Sequence, residues 1–103
     1  MGWFRERRRL KLFTRAWQQT SKDRFSEGAI DVTTYAKCVT AGDRPKVMRQ
    51  LMKQTETEPG LYGGIKDWDW DAILTWIQEY FIPLMKALLP LLLVLDLKTG
   101  ERK

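Results

Sequence analysis

The chain contains no histidine and one cysteine, Cys38, in 103 residues. Without an imidazole it lacks the usual general base at neutral pH, the commonest zinc ligand and every Ser-His or Cys-His nucleophile pair, so an enzymatic role is not expected and no cofactor or metal is expected either. A lone thiol cannot form an intrachain disulfide, which removes the small secreted scaffolds and points to a reducing interior. No apolar stretch of signal-peptide length follows Arg5 to Arg9. Secretion by that route is not indicated, and a cytoplasmic or membrane-associated location is expected. Long apolar runs are also scarce. The charge-free stretch Ala87 to Leu95 falls far short of the roughly 20 residues that span a bilayer.

Charge, by contrast, is plentiful and unevenly placed. Residues 1–54 hold 13 basic and 5 acidic groups, a balance of +8, whereas residues 55–103 hold 5 and 8, a balance of −3. The first half should therefore be drawn to phosphates, in nucleic acid or in anionic lipid headgroups. Within it, Arg5, Arg7, Arg8, Arg9, Lys11 and Arg15 lie among Trp3, Phe4, Phe13 and Trp17. Such cations neutralise phosphates, and interleaved aromatics can stack on bases or seat in a headgroup layer. The plainer alternative is a solvated basic face on a structural helix.

Periodicity predicts an all-α fold, a short helical bundle or αα-hairpin followed by a long, kinked hydrophobic C-terminal helix. Leu10, Phe13 and Trp17 recur at helical spacing, predicting an amphipathic helix over 3–25. Asp31 is placed to cap a second helix with Val32, Tyr35, Ala36 and Val39 as its buried stripe, and Gly42 to end it. Asp43 and Pro45 suit the start of a third, buried through Val47, Met48, Leu51 and Met52. The chain thus divides into a basic helical region at 1–54, a Gly/Pro linker at 55–66, a Trp/Leu-rich helix at 67–98 and a polar tail at 99–103.

The C-terminal helix must bury itself against something. Thirteen strongly apolar residues fall between Ile73 and Leu95. At about −0.3 to −0.6 kcal/mol each they favour insertion, but Glu79, Gln78, two prolines and a central Lys86, costing about 2.5 to 3.5 kcal/mol, bring the balance near zero. Pro83 and Pro90 should each kink or break the helix. The dozen or so stripe residues of the first three helices look too few to cover it. The expectation is a hydrophobic interface of Trp68, Trp70, Trp76, Tyr80, Phe81, Leu84, Leu88, Leu91, Leu92 and Leu95, shared with further copies of the chain or a larger assembly in preference to membrane lipid.

Two motifs imitate specific chemistry. Asp67, Asp69 and Asp71 follow the first acidic positions of a calcium loop, but the sixth position is Ala72 in place of glycine and the twelfth is Gln78 in place of glutamate. The helices around Gly42 loosely resemble a helix-turn-helix, with Lys46, Arg49 and Lys53 available to nucleic acid. Asp43 and Lys37 stand where that motif is usually apolar, so a plain αα-hairpin is favoured. The combined expectation is a structural or assembly protein of the kind that would suit a minor component of a virus or phage particle, with its basic helix on nucleic acid or anionic lipid. The alternatives are a soluble nucleic-acid-binding regulator using 31–54 and a small membrane-inserting protein.

Overall fold

A computed structural model describes residues 2–57 and 69–101, and the side chains of residues 6–54 and 69–92. Within them the chain is all-α, in five helices: α1 (Gly2–Ser26), α2 (Val32–Gly42), α3 (Pro45–Thr57), α4 (Trp70–Glu79) and α5 (Phe81–Glu101). Most of the expected linker, together with Asp67 and Trp68, lies outside the described residues.

The helix ends follow from local chemistry. At the end of α1, Ala29 N–H donates to Arg24 O (2.8 Å) and Gly28 N–H to Phe25 O (3.0 Å), a Schellman closure that needs the positive φ of 79° at Gly28. Asp31 caps α2, its Oδ1 accepting from Thr34 N at 2.7 Å. Asp43 closes α2 and does not open α3, its N–H shared between Val39 O and Thr40 O at 3.2 Å each. Pro45 fixes the first turn of α3, so the capping position falls on Arg44, whose carbonyl accepts from Met48 N at 3.1 Å. Asp69 caps α4 by accepting from Ala72 N at 2.8 Å.

The expected single C-terminal helix is two helices, bent by 80° at Tyr80. Pro83 has no N–H for Glu79 O, so a continuous helix would lose a bond there. As the third residue of a new helix it loses nothing, because first-turn donors have no intrahelical acceptor. Gln78 O, freed by the break, accepts instead from Arg24 Nη2 of α1 at 3.0 Å. At Pro90 the helix continues without a break.

These elements share one core, in which α1 packs on α2, α3 and α4 while α5 packs on α3 and α2. Phe13 and Trp17 from α1, Met48 and Leu51 from α3, Ile73 and Ile77 from α4, and Phe81, Leu84 and Leu88 from α5 are all buried. Trp17 ties three helices together. Its Nε1–H donates to Cys38 O at 3.1 Å, and its ring stacks on Phe81 with centroids 5.0 Å apart. Helix α2 departs from the expected register. Its buried residues are Cys38, Ala41 and Gly42, whereas Val32 and Val39 are exposed. The reason is close approach: a Cβ on Gly42 would lie 2.9 Å from Gln18 Cγ, so α1 and α2 meet across small residues.

Candidate nucleic-acid interface

Bordering Gly42 is a cleft of about 640 Å³, open to solvent between α1 and α3. One wall is Glu6, Arg7, Leu10, Lys11, Thr14 and Arg15 of α1, the other is Pro45 and Arg49 of α3, and Gly42 of α2 completes the lining. Arg7, Lys11 and Arg15 repeat every four residues, which keeps them within about 80° of one another on α1. Arg49 joins them from the opposite wall.

Four cations and one carboxylate therefore line the cleft. The carboxylate, Glu6 Oε1, lies 3.7 Å from Arg49 Nε, and both side chains are about half exposed (48% and 51%). An exposed pair at that distance is worth well under about 1 kcal/mol. A polyanion that brings several phosphates to the four cations at once can displace it.

The expected basic cluster does not converge as a whole. Arg8 is exposed and Arg9 half-buried, and neither lines the cleft, because successive helical residues turn by about 100°. The side chain of Arg5 lies outside the described residues. On α3, Lys46, Arg49 and Lys53 are all exposed, spaced to share one outer face, and only Arg49 turns into the cleft. Sequence reasoning missed Glu6, Leu10 and Thr14 as lining, and took Gly42 and Pro45 as helix punctuation only. The juxtaposition of α1 with the start of α3 is tertiary and left no local signal.

Of the expected hydrophobic interface, Phe81, Leu84, Leu88 and Leu92 are buried in this chain's own core. Trp70, Trp76, Tyr80 and Leu91 are half-buried, with Trp76 and Tyr80 in ring contact at 5.1 Å. Ile82 and Leu89, which were not expected to stand out, are the exposed large apolar residues of the described part of α5. The side chains of Trp68 and Leu95 lie outside the described residues. Among the described residues no single helix is long and apolar enough to cross a membrane; α4 with α5 to Leu92 has the length and composition only as a pair bent by 80°.

Asp69, Asp71 and Glu79 border a shallow depression beside Trp76. Among the described residues no group of three or more potential ligands is placed to hold a metal ion. Cys38 is buried, and desolvation pushes its thiol above the ordinary value of 9.0 against an opposing hydrogen bond with Ser21, so at neutral pH it is protonated and enclosed. Comparison with family models, curated proteins and solved structures finds no match.

Proposed function

We propose that the chain is a non-enzymatic binding module that docks on the phosphate backbone of a nucleic acid through the α1–α3 cleft, as a small part of a larger assembly. The observation that supports this reading is the convergence of Arg7, Lys11 and Arg15 with Arg49, brought together from distant parts of the sequence. Cations that converge on a concave surface follow a backbone, whereas a merely solvated helix face would spread them. The outer face of α3, with Lys46 and Lys53, extends the positive surface beyond the cleft. A nucleoprotein particle, viral or phage, would suit such a component.

The test is binding of fluorescent duplex DNA and single-stranded RNA by the purified chain across a salt series. Lys11→Glu, Arg15→Glu and Arg49→Glu should each weaken binding about tenfold or more, and Lys11→Ala should flatten the salt slope by about one unit, for the one phosphate it no longer neutralises. Arg8→Glu, outside the cleft, should cost less than any of them. Equal weakening by Arg8→Glu and Lys11→Glu, or no binding at low salt, would remove the cleft from the mechanism.

A second reading, docking on anionic lipid, draws on Ile82 and Leu89, exposed at i and i+7 on α5. It calls for co-flotation with anionic vesicles that is abolished in Ile82→Gln/Leu89→Gln. Binding to nucleic acid with no flotation would dismiss it.

A further inference from the structure

Helix α2 is apolar on more of its circumference than the described residues of the chain cover. Cys38, Ala41 and Gly42 point into the core. At about 100° per residue, Val32, Tyr35, Ala36 and Val39 form a second stripe, centred about 120° from the first, and Thr33, Lys37 and Thr40 take the remaining side. Val32 is 66% exposed, Val39 39% exposed and Ala36 exposed. Half-buried Tyr35 carries the stripe across to α1, where Phe25 stacks on it with centroids 4.4 Å apart and planes 4° from parallel. No charged side chain falls within this stripe. A helix apolar on two sides is one that is covered on two sides.

From this arrangement we infer that α2 is the interface between two copies of this chain, paired antiparallel about a two-fold axis. An isologous contact must be complementary to itself, and the stripe meets that condition. It reads Val, then an adjacent Tyr and Ala, then Val, at i, i+3, i+4 and i+7. With the axis between Tyr35 and Ala36, Val32 faces Val39 of the second copy, and the Tyr35 ring sits over the small Ala36 of the second copy, large on small in both directions. A partner of another kind would require no such symmetry.

The outer stripe of α5 makes the contrast. Ile82, Met85, Lys86 and Leu89 have the same spacing, but an exposed lysine stands where α2 has alanine. Pairing that face with itself would desolvate two like charges near the axis. The eleven residues of α2 are about 16 Å long, which with Phe25 gives a contact smaller than the standard ~800 Å² per partner. The dimer is accordingly weak and reversible.

Sedimentation velocity of the full chain under reducing conditions, from low to several hundred micromolar, tests this. The wild-type chain should pass from monomer to dimer and no further. Val32→Glu and Val39→Glu lie at exposed positions, so both variants should keep the wild-type far-UV spectrum while remaining monomeric at every concentration. The double variant Val32→Lys/Val39→Glu should dimerise again, because in an antiparallel pair each lysine faces a glutamate; a parallel pair would set like charges against each other. A wild-type chain that stays monomeric throughout, a dimer that survives Val39→Glu, or a double variant that stays monomeric would each overturn the inference. The cleft uses none of these residues, so nucleic-acid binding by the Val39→Glu monomer separates failure here from failure of the proposed function.

Discussion

Buried polar groups reveal where packing has overridden hydrogen bonding, and α1 carries two such residues side by side. Ser21 is enclosed but satisfied, its hydroxyl donating to Trp17 O at 2.8 Å. Thr20 is also fully enclosed, and its Oγ1 has no partner. A hydroxyl buried without a partner costs about 1–3 kcal/mol, and Val has nearly the same shape and the same β-branching in a helix. Thr20→Val should therefore raise the free energy of unfolding, by about 1 kcal/mol in urea titration; a loss of stability would mean that the hydroxyl has an acceptor in solution. Trp17 makes the opposite point. Its indole was legible as an apolar-stripe residue, but nothing local showed that its N–H would reach Cys38 O, 21 residues away.

The second helix shows what periodicity can and cannot decide. Its start was readable, because Asp31 carries its own signal: a carboxylate one position before an apolar pattern. Hydrogen bonds from Thr34, side chain first and then backbone, hold that carboxylate below its ordinary value of 3.8. A depressed carboxylate contributes stability that is present above 3.8 and lost as pH falls through the lowered folded value. The Thr34 amide resonance should therefore titrate in that acid window, with fraying of the first turn, and Asp31→Asn, which caps without titrating, should abolish the transition. A Thr34 amide that does not move would exclude the cap. The helix's inward face was misread because Val32, Tyr35, Ala36 and Val39 are more apolar than Cys38, Ala41 and Gly42. Hydropathy ranks residues by transfer cost, whereas the core selected the face small enough for Gln18 to approach. The break at Tyr80 was displaced in the same way: Pro83 signals a lost donor, but the carbonyl it affects belongs to Glu79, one turn earlier.

For the whole molecule, the described part of the C-terminal apolar run is divided, with Phe81, Leu84, Leu88 and Leu92 buried in the chain's own core and Ile82 and Leu89 exposed. Small residues such as Ala16, Cys38 and Ala41 bring the first helices together without adding to a count of large ones, and the bend at Tyr80 turns two apolar faces, Ile73 with Ile77 and Leu84 with Leu88, into one core. The two halves should unfold together. Phe81→Ala, which removes the ring stacked on Trp17, should cost about 3–5 kcal/mol, and tryptophan fluorescence and far-UV circular dichroism should still report coincident transitions. Separated transitions would show that the halves are independent units. The charge asymmetry was legible from the sequence, but the cleft was not. Arg7 to Arg9 read as one block along the chain, and the helix points the three in different directions.

Gly42 couples these scales. It borders the cleft with bare backbone, and a side chain there would collide with Gln18, so one residue belongs both to the cleft lining and to the close contact of α1 with α2. A polyanion slender enough to enter without spreading α1 from α3 will act as a thermal stabiliser, adding RT ln(1 + [L]/Kd) to the folding free energy. One too broad to enter meets only the exposed ends of the cations and stabilises less. The melting temperature measured in the presence of successive nucleic-acid forms thus gauges which form fits.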